Sequence, residues 1–475
     1  MNMDRHYNVV LIMTDQQRWD MMGCAGSPWM HTPCLDRLAE SGCRFANAFT
    51  TTPVCTPARA GLFTGMYGSS SGAWANQLSP HRHVAFLGEH LRDHGIAAGY
   101  IGKWHLDGPA GGYYGRGEPD GGFDPEYWYD GRRFIEEVGE EGFRKWYQGR
   151  GLTEHDCWGA RVADRAIRFL EEHHRDEQPF VLVVSFDEPH GPSSAPERFY
   201  KLYEGSTRPW QPNMADRLEG KPETHRAMCE AWGSRRHMPP DGQDPNNNPR
   251  YYGATSFADE QVGRVVEAVD RLCGQNTAVF FTSDHGDHQG AHGMLGKGMT
   301  MYEETVRVPF LARVPGLTRP GSVSEALVSH IDLAPTICRL VGIPPHEQFQ
   351  GRDMLEVLAD PAEAGPEAVF IEFNRFGLPH HHWWGLVPIR CIRTRRYKLV
   401  LNLLDIDELY DLGADPGEMV NRIDDPALRS LRDELHDRLL AWMRDRRDPF
   451  RGQGWYARPW RPGKRLDPCP PPPRR

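Results

Sequence analysis

Two kinds of apolar pattern alternate along the chain. Tyr7 to Met13 is almost unbroken and β-branched, and it stops at Thr14-Asp15-Gln16. A continuous apolar run of that length predicts a strand buried on both faces. Ala97 to Ile101, Phe180 to Phe186, Thr277 to Thr282 and Val308 to Arg313 have the same texture. Between them, Phe257, Ala258, Val262, Val265, Val266, Val269 and Leu272 recur at the spacing of one helix face, as do the apolar positions of Ala160 to His174. Strand, helix and strand in succession predict an α/β fold with a mostly parallel sheet flanked by helices.

After Asp360-Pro361 the runs shorten. Val369 to Phe373, Ile389 to Thr394 and Tyr397 to Leu401 predict short antiparallel strands, and Pro426 to Arg444 a helix. With 475 residues the chain exceeds what one core serves. The expectation is a large catalytic domain over 1–365 and a smaller C-terminal domain over 366–475, whose proline-rich end, Pro468 to Arg475, is expected to be disordered. Gly and Pro cluster in Gly108 to Gly122 and Pro239 to Pro249, which predicts two long surface loops.

A net charge of -10, with no long basic run before the C-terminus, argues against a nucleic-acid partner. Val9 to Met13 is too short for a signal segment or a membrane span, so a cytoplasmic protein without membrane attachment is expected. The 10 cysteines include no Cys-x-x-Cys pair and predict reduced thiols.

Chemistry gathers at the ends of parallel strands. Asp15-Gln16 and Asp284-His285 each follow a predicted strand, and the fold would bring the two pairs together as ligands for one divalent metal. At Cys55-Thr56-Pro57, Thr56 suits an N-cap and Pro57 the first helical position, which sets Cys55 at a helix N-terminus with Arg59 one turn on. A single cysteine before a helix is ordinarily buried and inert; the surrounding pattern argues otherwise.

Cys55, Pro57, Arg59, Leu62, Thr64 and Gly65 resemble the signature Cys-x-Pro-x-Arg-x-x-Leu-x-Thr-Gly of type I sulfatases, in the alkaline phosphatase superfamily. Gly102-Lys103-Trp104-His105-Leu106 resembles a second signature, with Asp107 in place of the usual Gly. Glu408 to Leu412, Asp415 to Glu418 and Asn421 are similar to the C-terminal part of such proteins, so the resemblance runs from about Asn8 to Asn421. It implies an alkaline-phosphatase-like large domain and a small C-terminal domain with an antiparallel sheet and a helix.

The resemblance also implies a mechanism. Cys55 would be oxidised to formylglycine by a formylglycine-generating enzyme, giving an aldehyde hydrate with one hydroxyl to attack sulfur and a second to release sulfate. Asp15, Gln16, Asp284 and His285 would bind the metal together with residue 55. Lys103 would neutralise the nucleophile, His105 take the hydrate proton, His190 protonate the leaving oxygen, and Lys297 bind sulfate. Gln16 and His285 stand where many members have Asp and Asn. Ca²⁺ remains the first expectation, with Mn²⁺ credible because an imidazole suits a transition metal. Asn76 matches a pocket position of phosphonate monoester hydrolases, and His288 and His292 read as loop residues or as a zinc cluster.

The expected activity is hydrolysis of a sulfate monoester, of a carbohydrate first and an aryl alcohol second, with choline sulfate a further option. Tyr113, Tyr114, Tyr127, Trp128, Tyr129 and His380 to Trp384 supply aromatic faces for a sugar or aryl ring, or equally for packing. Gln16 and His285 keep a phosphonate monoester hydrolase or phosphodiesterase as the alternative; Lys103 and His105 favour sulfate. A non-catalytic binding protein on the same fold is a further alternative. No Gly-x-Ser-x-Gly elbow or P-loop is present. Substrate regiochemistry and homo-oligomerisation stay open.

Overall fold

The structure, a computed structural model, describes residues 6–205, 208–209, 211–231, 248–377 and 385–450. His380 to Trp384, most of the Pro239 to Pro249 stretch and the Pro468 to Arg475 tail lie outside them.

Seven strands form the large sheet: β1 (Asn8–Asp15), β2 (Cys43–Phe49), β3 (Ala97–Gly102), β4 (Phe180–Pro189), β5 (Thr277–Ser283), β6 (Phe310–Arg313) and β7 (Ser322–Ser329). Their order is β3-β4-β1-β5-β6-β2-β7. All neighbours pair in parallel except β6, which is antiparallel to both β5 and β2. Burial on both faces follows directly from the apolar runs. Val9, Leu11 and Met13 of β1 enter one core, with Val181 and Val183 of β4 and Ala278 and Phe280 of β5. Val10 and Ile12 enter a second core on the opposite face, with Leu182, Val184, Val279 and Phe281.

Helices close both faces. The second core is completed by Trp158–His173 (Val162, Ala166, Phe169) and Pro249–Leu272 (Val262, Val265, Val269). The first is covered by Cys55–Thr64 and Leu333–Leu340 through Leu62, Phe63, Leu333 and Ile337. Each fully buried side chain of this size contributes about 1.5–3 kcal/mol.

The small sheet consists of β8 (Ala368–Phe373), β9 (Ile389–Thr394), β10 (Tyr397–Asn402) and β11 (Glu408–Asp411), antiparallel in the order β11-β10-β9-β8. Period-two alternation splits its side chains. Ile392, Leu399, Leu401 and Leu409 meet Leu435, Leu439, Trp442 and Met443 of the helix Arg429–Asp445. Ile371, Phe373, Cys391, Val400 and Tyr410 meet Phe49, Val54, Met301, Tyr302 and Val306 of the large sheet's surroundings. The small sheet is therefore one wall of a shared core.

Three strands go beyond the sequence expectation, β11 (Glu408–Asp411) among them. β2 (CRFANAF) mixes polar and apolar residues, and β7 (SVSEALVS) is an edge strand whose first half is partly exposed. The expected strand Val308 to Arg313 begins only at Phe310. Among the described residues, nine cysteines are free, and no helix is long and apolar enough to cross a membrane.

Candidate active site

The order β3-β4-β1-β5 sets four C-terminal strand ends side by side. Because Thr14 pairs with Ser283, the next residues, Asp15 and Asp284, emerge together. Lys103 and His105 leave β3, and Asp187 lies next to them in the last residues of β4, two before its end at Pro189. Gly102, with φ 118°, permits this crowding: a Cβ there would lie 1.9 Å from the Ser185 carbonyl oxygen. Gln16 and His105 turn into the site through left-handed backbone, φ 70° and 60°. Such a conformation costs a non-glycine residue about 1–2 kcal/mol and persists where surrounding structure imposes it.

Cys55 begins the helix Cys55–Thr64, which starts two residues earlier than the sequence reading placed it. Val54 is the N-cap, and Thr56 is inside the helix, its hydroxyl donating to the His105 carbonyl (2.9 Å). The capping acceptor comes from elsewhere: Asn76 Oδ1 takes the Thr56 N–H at 3.0 Å. Asn76 thus anchors the start of the helix that carries Cys55.

Arg59 is fully buried beneath the site. Its Nε donates to Asp284 Oδ2 (2.9 Å), Nη2 to Asp15 Oδ2 (3.0 Å), and Nη1 to the Lys103 carbonyl (2.6 Å) and Ser185 Oγ (2.9 Å). One planar fork therefore ties together the ends of β1, β3, β4 and β5. Its donors face protein, so Arg59 organises the site floor. Lys103 Nζ lies 2.7 Å from Asp15 Oδ2 and 3.0 Å from Asp187 Oδ1. Lys297 Nζ donates to Cys55 Sγ at 3.0 Å and to Gln16 Oε1 at 2.6 Å, while Gln16 Nε2 donates to Asp287. His285 Nε2 is 3.2 Å from Cys55 Sγ. The His105 ring is buried close to Cys55, and neither of its nitrogens has a hydrogen-bond partner.

Charge is unevenly distributed here. Burial and Asp15 oppose ionisation of the Cys55 thiol, but Lys297, His285 and Lys103 outweigh them and hold it well below its usual range. For Asp15, burial is outweighed by Lys103, His190, Lys297 and Arg59, and its carboxyl is held low. Asp284 goes the other way, pushed up to about 6 by burial and by Asp15 despite His285 and Arg59. His105 is held below its usual value by burial.

Ligand atoms of Asp15, Cys55, Asp284 and His285 lie within 4.8 Å of one another. Donors around a single cation bound at about 2.4 Å are separated by no more than about 5 Å, so this group fits one divalent ion. The strained charge of the Asp15–Asp284 pair points the same way, because a cation between them would relieve it. Gln16 is adjacent, its backbone N–H on Asp284 Oδ1 at 3.1 Å.

Asp15, Gln16, Cys55, Arg59, Lys103, His105, Asp284, His285 and Lys297 come together in or beside this pocket, with His190 half-buried at its rim. Others are elsewhere. His292 pairs with Asp216 (2.7 Å) and stacks on Tyr302 (3.6 Å between ring centres), and His288 bonds Thr300 (3.0 Å), so neither joins the metal-ligand group. The expected aromatic platform does not form among the described residues. Trp128 packs on Tyr100 and Trp104, Tyr129 is buried under Arg165, Tyr127 lies on Phe169, and Tyr114 on Phe143. Among the described residues of that set, Tyr113 alone turns to the site, its ring 3.6 Å from Lys103 Nζ. Sequence reasoning missed the parts played by Ser185, Asp187 and Asp287. A search for every carboxylate at a strand end would have found Asp187.

The parallel sheet, strand-end carboxylates and buried cysteine at a helix start define a hydrolase of the alkaline-phosphatase-like class with room for a divalent cation. The family model described as Sulfatase matches residues 7–343, and that described as N-sulphoglucosamine sulphohydrolase, C-terminal, matches residues 290–445. The chain belongs to the sulfatase family, hydrolases of sulfuric ester bonds. It is 39% identical over 464 residues to the sulfatase YidJ of Escherichia coli, covering 96% of this chain and 90% of that one. It is 30% identical over 462 residues to an ulvan-active sulfatase of Formosa agariphila, covering 95% and 84%. A structure solved in complex with its substrate D-glucosamine-2-N,6-O-disulfate superposes with a TM-score of 0.77 at 24% identity, over 94% of this chain and 99% of that one.

Proposed function

We propose that this sulfatase cleaves a sulfate monoester of a carbohydrate, with Cys55 matured to formylglycine and one divalent cation held by Asp15, Gln16, Asp284 and His285. The observation that carries the reading is the convergence of Cys55 with two buried carboxylates, an imidazole and two lysines. The carbohydrate preference draws on the relatives, one ulvan-active and one solved with a disulfated glucosamine. Ca²⁺ is the first assignment and Mn²⁺ the second, because His285 softens an otherwise oxygen-rich set.

When present, the cation would polarise the ester oxygens and the formylglycine would supply a hydrated aldehyde as nucleophile. The chain's own residues do the rest. Arg59 fixes the carboxylates so that they need no reorganisation during the reaction. Lys103 and Lys297 offset negative charge beside position 55 in a site almost closed to water, where their fields are little screened. His105, low in pKa and free at both nitrogens, stands ready to take a proton next to position 55. His190 at the rim is placed to protonate the departing oxygen.

The test is a protein produced with a formylglycine-generating enzyme, assayed on sulfated glucosamine, an aryl sulfate and an aryl phosphonate. Its Cys55 peptide is weighed by mass spectrometry and its metal content measured. Sulfate turnover with an oxidised Cys55 is expected. A clear phosphonate preference would move the chain to phosphoryl transfer, and an intact thiol in an active preparation would remove the nucleophile.

A further inference from the structure

Tyr113, in the loop after β3, reaches into the site, and its hydroxyl lies between two groups. It donates to Asp187 Oδ1, and it lies 2.7 Å from His190 Nδ1. A phenol has a single proton, and with that proton on Asp187 its oxygen can only accept from His190. His190 Nδ1 also approaches the Gly191 carbonyl oxygen at 2.8 Å, again an acceptor. Both contacts require the hydrogen on Nδ1. Both ring hydrogen bonds of His190 use this nitrogen, which leaves Nε2 for a ligand.

We propose that Tyr113 and Asp187 are positioning residues that hold His190 with its proton on Nδ1 and Nε2 directed to the leaving oxygen of the ester. This rests on the sulfate-ester reading above. The Tyr113 ring makes the arrangement compact. It lies edge-on to His105 (5.2 Å) and tilted against His190 (5.0 Å), with Lys103 Nζ over its face. Burial and the neighbouring Asp187 and Asp15 raise the phenol well above its usual value, so its proton stays available to Asp187. As sulfur is attacked from the far side, the S–O bond to the alcohol breaks and its electron pair stays on the leaving oxygen. That oxygen takes the proton from Nε2 of the imidazolium, and His190 is left neutral with its Nδ1 proton in place. The Tyr113–Asp187 pair holds the ring in the orientation that transfer needs.

Tyr113→Phe keeps the ring over Lys103 and removes only the hydroxyl. An alcohol leaving group needs the proton, whereas an activated phenol such as 4-nitrophenol departs with little help. Metal-loaded Tyr113→Phe should therefore lose at least about tenfold in kcat on an alkyl or sugar sulfate while staying within about twofold of wild type on 4-nitrophenyl sulfate. Equal losses on both esters, or no loss on either, would overturn the proposal. Where wild type accepts one ester class only, the His190→Ala background decides: Tyr113→Phe should add less than about twofold there, and a full additive loss would show that the tyrosine does not act through His190. A wild-type enzyme that cleaves no sulfate ester sinks the sulfatase reading itself, and this proposal with it. Wild-type turnover with an unaltered leaving-group dependence in Tyr113→Phe sinks only the tyrosine.

Discussion

Of the buried polar clusters among the described residues, two make a contrast that separates a site from a scaffold. One is the pocket of Cys55, Asp15, Asp284, His285, Lys103 and Lys297. The other joins the small sheet to the segment that follows Lys297: Lys398 Nζ lies 2.8 Å from both Glu303 Oε1 and Glu418 Oε1, and Arg393 Nη2 lies 3.2 Å from Glu303 Oε2. Beyond these, Asp216 takes Lys221 at 2.6 Å and His292 at 2.7 Å. Both clusters are rich in Lys, His, Asp and Glu, so buried charge alone identifies neither. In the second, Glu303, Glu418 and Asp216 each lie against a lysine. In the first, ligand atoms of two carboxylates, a thiol and an imidazole converge within 4.8 Å of one another, the one such group among the described residues. Chemistry is marked by groups that converge without cancelling.

If that contrast is right, the sharpest blow to activity leaves the fold untouched. Cys55→Ala should lower turnover by at least about a thousandfold, since the attacking atom is gone. Thermal unfolding should stay within about 2 °C of wild type, because the deleted atom was held by the site's own cations and not by the apolar core. Retained turnover in the variant would place the nucleophile elsewhere. A collapse of stability would make the pocket part of the scaffold.

The reverse pattern is expected of Lys398→Met. The replacement fills nearly the same space but leaves Glu418 buried beside Glu303 with one cation fewer. Removing one partner of a buried pair costs about 3 kcal/mol, at the lower end here because Arg393 still holds Glu303. Urea unfolding should report this loss, while kcat per folded molecule stays within about twofold. A specific drop in kcat would join the two clusters into one functional unit.

Legibility from sequence followed the same divide. β1, β3, β4 and β5 are read from unbroken apolar runs, since burial on both faces leaves no polar option. β2 and β7 hide because their neighbours across the sheet, not their own pattern, make them strands, and the reversed direction of β6 is a property of pairing alone. Asp15, Cys55, Asp284 and His285 are legible because strand ends and a dense motif mark them. β4, however, continues three residues past its expected end at Phe186, and Asp187 gains Lys103 through strand pairing and Tyr113 when the loop that bears it folds back. Long-range closure of that kind leaves no local trace. The aromatic residues of the same loop illustrate the limit from the other side, as their types suit a sugar platform and their burial makes most of them core.

The smallest expected effect tests whether the second cluster is held uncharged where it has no matching charge to offer. His225 is buried with Nδ1 3.1 Å from Tyr302 Oη, and burial, helped by Lys221 and His292, lowers its pKa to about 3. The nearby Glu408, its carboxyl raised by burial, is 3.9 Å away and accepts from Tyr410 and Asn402 instead. Below its ordinary value of 6.5 the unfolded chain binds a proton at this histidine and the folded chain does not. Its contribution to stability is therefore intact above pH 6.5 and declines as the pH falls towards 3. At pH 5 the decline amounts to about 2 kcal/mol. His225→Gln carries no titrating ring, so the drop in unfolding free energy between pH 7.5 and pH 5 should be smaller than in wild type by that amount, whatever the variant loses at neutral pH with the Tyr302 bond. An unchanged drop would mean that His225 is protonated in the native state and paired with an ionised Glu408, and the second cluster would then carry a charge whose balance involves more than the lysines and arginine at its centre.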